Sequence, residues 1–294
     1  MPELPEVETV RRGLAELLPR RVVQHLSVFD SPKSFPNTSV DVEQFLYGAT
    51  IIDVRRRAKV LIVDLDTDYS LVVHLKMTGQ LVFRGETKFG AGHPSDSLIG
   101  ELPDRSTRLQ IDFKDGSKLF FNDQRKFGWV KLLPTIEVVN LPFFQKVGPE
   151  PLDAGTTTKV FIHQVRRRNG TMIKPAILDQ TVIAGVGNIY ADEALWAAKI
   201  HPEMRVRDVS DERLSTLFTE VVKVLALSIE KGGSTDKNYV DAEGRRGSYL
   251  EFANVFRREG QPCRIHPEVL IKKLKVAGRG THICDACQPG AESR

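Results

Sequence analysis

The feature that most restricts this 294-residue chain is a change of hydrophobic period part-way along it. From about residue 22 to 133 the apolar residues come in short runs, namely Ile51–Val54, Val60–Leu65, Leu71–Leu75, Leu109–Phe113 and Lys118–Phe121, separated by Asp, Gly and Ser. Short β-branched and aromatic runs bounded by turn formers predict the strands of an antiparallel β-sandwich or barrel. Lys114-Asp115-Gly116-Ser117 reads as one of its hairpin turns. Beyond residue 157 the spacing becomes helical, over roughly 158–168, 172–179, 189–199 and 211–231. In the last of these Leu214, Leu217, Phe218, Val221, Leu225 and Ser228 share a face, and Gly232-Gly233 stops it. A further helix over 5–18 opens the chain, with Val7, Val10, Leu14 and Leu17 at helical spacing between Pro5 and Pro19.

Strands followed by helices imply an α+β chain with separate cores. Pro134, Pro142, Gly148, Pro149, Pro151 and Gly155 mark the junction. The expected organisation is a β domain over 1–134, a hinge over 135–156, a helical domain over 157–254 and a metal-binding tail over 255–294. Residues 85–107, polar and rich in Gly and Pro, read as a long surface loop. No apolar run approaches the roughly 18–20 residues that span a bilayer, and Met1-Pro2-Glu3-Leu4-Pro5-Glu6 has neither basic nor apolar leader character. A cytoplasmic protein without membrane attachment is expected.

All three cysteines lie in the tail. Cys263-Arg264-Ile265-His266 and Cys284-Asp285-Ala286-Cys287 form two pairs in which two residues separate the ligands. Such spacing lets each turn aim both side chains at one tetrahedral Zn²⁺, and four protein ligands leave no open position, so one structural zinc is expected. His282 is the alternative fourth ligand, but strand alternation from Cys284 turns it to the other face. The tail is also basic. Seven Lys and Arg between Arg257 and Thr281 face only Glu259 and Glu268, and Lys159–Lys174 carries Lys159, Arg166, Arg167, Arg168 and Lys174 with no acid. Two such segments, far apart in sequence, suit a surface that follows a polyanion, although two solvated faces would carry the same charges.

Pro2 follows the initiator Met, and a small second residue favours removal of Met1. The chain would then begin with a secondary amine, which titrates near pH 8 and is partly neutral at pH 7. A neutral amine can attack a sugar C1′ and form an iminium, with Glu3 and Glu6 beside it as proton donor and electrostatic partner. A plain Pro-Glu helix start accounts for the same residues. Ala184-Gly185-Val186-Gly187-Asn188 precedes a helix, and its glycines permit a tight turn that exposes helix N-terminal amides to a phosphate. With the helix near 174–179 it makes a helix–turns–helix unit.

Taken together these segments resemble the formamidopyrimidine-DNA glycosylases, bacterial enzymes that excise oxidised purines. The resemblance covers nearly the whole chain. It rests on Pro2-Glu3-Leu4-Pro5-Glu6-Val7-Glu8-Thr9, Arg56-Arg57-Ala58-Lys59, His74-Leu75-Lys76-Met77-Thr78-Gly79 and Asp123-Gln124-Arg125-Lys126-Phe127-Gly128. It continues through Gly148-Pro149-Glu150-Pro151-Leu152, Gly187-Asn188-Ile189-Tyr190 and Ala277-Gly278-Arg279-Gly280-Thr281. It implies an N-terminal β-sandwich, a helix–two-turns–helix domain and a zinc-finger hairpin.

By resemblance Pro2 is the Schiff-base nucleophile and Glu3 the acid that protonates the opening sugar. Lys59, on a strand facing the cleft, assists at the lesion phosphate and in β-elimination. Arg279 at the hairpin tip clamps phosphates and serves δ-elimination. Lys174 and Asn188 match phosphate contacts, and Met77, Arg125 and Phe127 match the residues that fill the gap left by an extruded nucleotide. The implied partner of this monomer is duplex DNA containing oxidised purines or abasic sites, and a loop within 234–254 is expected to cover the flipped base.

This chain departs from the family at His266, where Cys is usual, and in the histidine-bearing segment, which is replaced by Arg105-Ser106-Thr107-Arg108. Arg108 becomes a DNA-contact candidate there, with His93 as an alternative. An endonuclease VIII-type enzyme for oxidised pyrimidines is the nearest rival, but Leu4 stands where that branch has Gly. A non-catalytic zinc-containing DNA-binding protein would leave Pro2, Glu3 and Lys59 unexplained.

Overall fold

The computed structural model describes residues 2–29, 32–234 and 249–290. The chain divides into two compact units, one formed by Met1–Gln145 with Lys231–Ser248, the other by Lys146–Glu230 with Tyr249–Arg294. Met1 and most of the expected covering loop over 234–254, residues 235–248, lie outside the described residues, and Tyr249–Phe252 within that range are helical instead of loop.

The first unit runs α1 (Leu4–Leu17), β1 (Val23–Val28), α2 (Ser39–Phe45), β2 (Ile51–Arg57), β3 (Val60–Leu65), β4 (Tyr69–His74), β5 (Gly79–Arg84), β6 (Lys88–Gly92), β7 (Thr107–Phe113), β8 (Lys118–Asp123) and β9 (Trp129–Pro134). Its strands form two antiparallel sheets, ordered β1-β7-β8-β5-β6 and β2-β3-β4-β9. The sandwich core lies between them, with Val54, Leu61, Val63, Leu71 and Val73 from one sheet and Leu81, Phe83, Leu109, Ile111 and Phe121 from the other. Their outer faces are covered as well. Val60, Ile62 and Val72 pack beneath Val138, Phe143 and Phe144, and Val82 and Phe120 beneath Leu98. Burial on both faces explains why these strands read as continuous apolar runs rather than alternating ones.

The α1 helix packs on β2 and β6, one edge strand of each sheet, through Val7, Val10 and Leu14. Covering these two edge strands with one amphipathic helix fixes the N-terminus against the sandwich. Gly13 is required here, because a Cβ would stand 2.2 Å from the Phe89 ring. The reading of 85–107 as a surface loop is therefore corrected: it contains β6, whose sequence Lys88-Phe89-Gly90-Ala91-Gly92 is strand by pairing with β5. Its glycines hid it. A Cβ at Gly92 would lie 2.5 Å from the Gly79 carbonyl, so close backbone approach takes precedence over strand propensity.

After α3 (Pro142–Lys146), the second unit contains α4 (Thr158–Arg166), α5 (Ile173–Leu178), α6 (Asn188–Ala197), α7 (Asp211–Glu230), α8 (Tyr249–Phe252), β10 (Lys272–Val276) and β11 (Arg279–Ile283). Its core joins Phe161, Ile173, Ile177, Tyr190, Leu195, Leu214, Leu217, Val221 and Leu225. The Tyr190 hydroxyl, which would be costly to bury alone, hydrogen-bonds Ser228 at 2.6 Å. The buried Glu193 carboxylate on α6 accepts backbone N–H bonds from Asn254 at 2.8 Å, Val255 at 2.9 Å and Phe256 at 2.8 Å. That fixes the start of the tail against the helices. The β10–β11 hairpin packs on α6. Among the described residues no helix is long and apolar enough to cross a membrane.

Candidate active site and nucleic-acid interface

Pro2 and Glu3 are buried at the head of α1. Glu3 is the N-cap, and its backbone N–H donates to Glu6 Oε2 at 2.8 Å. The other Glu6 oxygen accepts from the Ser234 backbone N–H at 2.8 Å and from the Ser234 hydroxyl at 2.7 Å. Glu6 thus orients the N-terminal turn and holds the chain that follows α7. One turn further on, Glu8 is met by Arg11, Arg12 and, from β2, Arg56 Nε at 3.0 Å. Arg56 also donates from Nη1 to the Ala58 carbonyl at 2.8 Å. One guanidinium therefore straps the helix that carries Pro2 to the turn that carries Lys59. Burial works to raise the Glu8 carboxyl, but hydrogen bonds from Arg11, Arg56 and Arg12 outweigh it and hold it at about 2.

Lys59 does not lie on a strand, as expected, but in the two-residue turn between β2 and β3, where Ala58 has φ +53°. The turn places a largely buried lysine at a hairpin tip, because the Arg57–Val60 pair closes the strands immediately behind it. Val60 pairs with His74, which brings Lys59 close enough to influence that imidazole. Burial first, then Lys76 and Lys59, push His74 down to about 3, so it stays neutral at working pH. Its Nδ1 accepts from the Lys76 backbone N–H at 3.1 Å, leaving Nε2 as the donor. Sequence reasoning quoted the motif that His74 opens without giving the residue a role. Its signal was the position one strand across from Lys59.

Met77, Arg125 and Phe127 come together, although they belong to different loops. Arg125 Nη1 is 3.1 Å from the Met77 sulfur, and its guanidinium lies 4.8 Å over the Phe127 ring. Phe127 is 52% exposed and Met77 39%, which is unusual for large apolar side chains held in place. The fully buried Asp123, at the end of β8, holds both loops. It accepts from the Thr78 hydroxyl, from Arg125 N at 3.2 Å and from Gly128 N at 2.6 Å. A Cβ at Gly128 would stand 2.7 Å from the Phe121 ring, so this loop closure demands glycine. The role of Asp123 was legible only as the first letter of its motif.

In the second unit the Ala277–Gly278 turn, with φ of +45° and +81°, presents an exposed Arg279 at the hairpin tip. Asn188 Nδ2 donates to the Gly280 carbonyl at 3.0 Å. Lys174, expected at a phosphate, is instead completely buried. Its ammonium pairs with Asp192 at 2.6 Å and donates to Thr281 Oγ1 at 2.7 Å and to the Gly280 carbonyl at 3.1 Å. Lys174 therefore has no exposed surface of its own, and these contacts tie it to Asp192 and the β10–β11 hairpin. Gln180, which sequence reasoning passed over, bonds Gly185 N at 2.9 Å and the Val186 carbonyl at 2.8 Å and so shapes the glycine turn before α6.

Cys263, His266, Cys284 and Cys287 offer ligand atoms that all lie within 4.8 Å of one another. Cys263 and Cys287 sulfurs are 3.7 Å apart, and His266 Nδ1 is 3.3 Å from Cys287 Sγ. A tetrahedral zinc with bonds of about 2.3 Å sets sulfur–sulfur edges of about 3.8 Å, so the set fits. His282 is engaged elsewhere, with Nδ1 3.1 Å from Asp192, which agrees with the choice of His266. Burial raises both outer thiols, yet backbone hydrogen bonds at His266 and Ile265 bring Cys263 down to about 7, while Cys287 is pushed up to about 12. Thiols this close cannot all ionise without a cation among them.

Two family models match the chain: the formamidopyrimidine-DNA glycosylase N-terminal domain over residues 1–130 and the H2TH domain of the same enzymes over 147–239. A formamidopyrimidine-DNA glycosylase of Pediococcus pentosaceus is 40% identical over 98% of this chain and 99% of its own. The chain belongs to the formamidopyrimidine-DNA glycosylase family. Another member, from Herpetosiphon aurantiacus, is 40% identical over 98% of this chain and 100% of its own. Lactococcus lactis Fpg solved with abasic-site DNA superposes with a TM-score of 0.85 at 32% identity, covering 98% of this chain and 100% of that one. The same enzyme with DNA containing an oxidised pyrimidine gives 0.84 at the same identity and coverage. The α+β architecture is that of the family.

Proposed function

We propose that this chain is a bifunctional DNA glycosylase and abasic-site lyase that excises oxidised purines, 8-oxoguanine and formamidopyrimidines, from duplex DNA. The observation that carries the reading is the strap from Glu8 through Arg56 to Ala58, which couples a buried N-terminal proline to the turn of Lys59. Once Met1 is removed, the Pro2 nitrogen attacks C1′. The N–C1′ bond forms as the glycosidic bond breaks and the base departs with a proton. Glu3 protonates the ring oxygen, and the ring opens to an iminium. The iminium acidifies the C2′ protons; loss of one, assisted by Lys59, expels the 3′ phosphate. A second elimination, assigned to Arg279, releases the 5′ phosphate.

Met77 and Phe127 stack into the space left by the extruded nucleotide, and Arg125 hydrogen-bonds the orphaned base. Asn188 supports phosphate binding from the second unit. Cys263, His266, Cys284 and Cys287 would hold one zinc, whose chemistry here is a structural cross-link below the hairpin. The same reading places the enzyme in the cytoplasm with its chromosomal substrate, working as a monomer.

A preference for oxidised pyrimidines is the second reading, favoured by the Lactococcus lactis complex with such a lesion. Matched duplexes bearing 8-oxoguanine or thymine glycol decide between them. Faster excision and nicking at 8-oxoguanine is expected. Preference for thymine glycol would reverse the assignment, and binding without incision at either would remove the enzyme reading.

A further inference from the structure

Attack by the neutral Pro2 amine leaves its nitrogen as an ammonium that still carries one N–H proton. That proton must leave before the C=N bond of the iminium can form. Glu3 gives a proton and Lys59 acts at C2′, so a further acceptor is required. The fold brings one histidine to the place where it is needed. The α1 helix runs antiparallel to β2: the Arg20 N–H donates to the Ile51 carbonyl at 2.8 Å at one end, and Glu8 meets Arg56 at the other. The head of α1 therefore lies at the end of the sandwich where β2 enters the Lys59 turn. The β6 strand finishes at the end where Gly92 pairs with Gln80 and the adjoining Gly79 pairs with Asp123. Gly13 on α1 packs against the Phe89 ring. From that contact, eleven residues back along the helix to Pro2 cover about 16 Å, and four residues forward along the strand to His93 cover about 13 Å.

Pro2 and His93 thus stand at the same level on two packed elements. The amino terminus is close enough to act on the imidazole. Burial first, and then this positive charge, lower His93 below the ordinary histidine value, while the Asp123 carboxylate works the other way. The titratable groups at this end are the amine, Glu3 and Glu6 from α1, Asp123 from β8, and Asp96 on the segment that follows His93 itself. The His93 backbone is fixed on both sides: its N–H donates to the Gly79 carbonyl at 3.0 Å, and its carbonyl accepts from Gln80 Nε2. Its ring is half-buried, and no hydrogen bond to another described residue engages it. A neutral imidazole at working pH is ready to take up a proton.

We propose that His93 is the proton acceptor for the amino-terminal amine, taking the N–H proton of the Pro2–C1′ adduct as the sugar opens to the iminium. The proposal rests on the Pro2 reading above and deepens it. The N–H electron pair returns to nitrogen and forms the C=N bond as the C1′–O4′ bond breaks. Glu3 protonates O4′, and the imidazolium then loses its proton to water. An ammonium whose carbon also bears an oxygen is a stronger acid than a free ammonium, which suits an imidazole as its base.

The test is single-turnover excision of 8-oxoguanine by the full chain at saturating enzyme, between about pH 4.5 and 8.5, with duplex affinity and borohydride trapping measured alongside. His93→Gln keeps a polar side chain of similar length that takes up no proton. It should excise about 100-fold more slowly, yet bind a tetrahydrofuran-containing duplex within about twofold and with the parent's salt slope. On the acid side the parent's log rate should fall with a slope about 1 steeper than the variant's, because only the parent has an imidazole to protonate. His93→Asn serves if His93→Gln fails to fold. Excision at the parent's rate, or slower excision with an unchanged acid limb, would refute the proton acceptor. Weaker binding with a salt slope lowered by about 1 and an unchanged saturated rate would make His93 a phosphate contact and overturn the proposal. A parent adduct that maps to a lysine would instead bring down the Pro2 reading beneath it.

Discussion

Glu8→Gln probes the strap between α1 and the Lys59 turn. The Glu8 carboxyl accepts from Arg11 at 2.8 Å and from Arg12 and Arg56 at 3.0 Å, and it titrates at about 2 instead of 4.5. A folded-state value below the unfolded one means that the ionised group stabilises the fold above about pH 4.5, and that this contribution fades as pH falls toward 2. The full displacement corresponds to at most about 3 kcal/mol. Water reaches part of the cluster, so about 1–2 kcal/mol is expected after screening. Urea unfolding of parent and variant at pH 7 and at about pH 3 isolates it. Glu8→Gln should be less stable than the parent by that amount at pH 7 and by clearly less at the acid pH. Because the strap ends at Ala58, the variant should also slow single-turnover excision while leaving duplex affinity within about twofold. A stability difference equal at the two pH values, or excision at the parent's rate, would refute the strap.

Three further outcomes follow from the geometry. Lys174→Met should destabilise the second unit by about 3–5 kcal/mol, because Asp192 is left charged and buried, while the salt slope of DNA binding stays unchanged; calorimetry and a binding titration check both, and a lowered slope at full stability would return Lys174 to the phosphate. Purified protein should contain about one zinc per chain, and His266→Ala should lower that stoichiometry and the stability of the tail; metal-free folded protein would remove the site. Asp123→Ala leaves the Arg125 and Gly128 amides without their acceptor, so it should cost about 2–4 kcal/mol and reduce selectivity for damaged over undamaged duplex; unchanged selectivity would show that the two loops order themselves.

The elements that carry strong periodicity were legible in the sequence. The five helices read from spacing fall within a residue or two of their expected ranges, and the tail's ligand spacing picked His266 over His282. The β6 strand was not legible, because its glycines serve close backbone approach and leave no apolar alternation. The α2 helix was missed because it buries only Val42 and so carries no apolar stripe. Pairings across the chain, such as Arg56 with Glu8 or Asp123 with the Met77 loop, depend on register, which hydrophobic patterning does not encode. Lys174 shows the same limit from the other side. A lysine in a basic segment reads as an exposed cation, and its burial against an aspartate one helix away is set by packing that charge patterning does not encode. Arg108 read as a DNA-contact candidate, and its burial at the register slip between Thr107 and Leu109 was not legible.

The central claim is that the amine of a processed Pro2 makes the covalent bond to deoxyribose. Borohydride reduction during turnover on lesion DNA, followed by digestion and mass spectrometry of the crosslinked peptide, measures this directly. The expected adduct lies on an N-terminal peptide that begins at Pro2 and is lost in Pro2→Gly. An adduct on Lys59 or another lysine, or active enzyme that retains Met1, would contradict it.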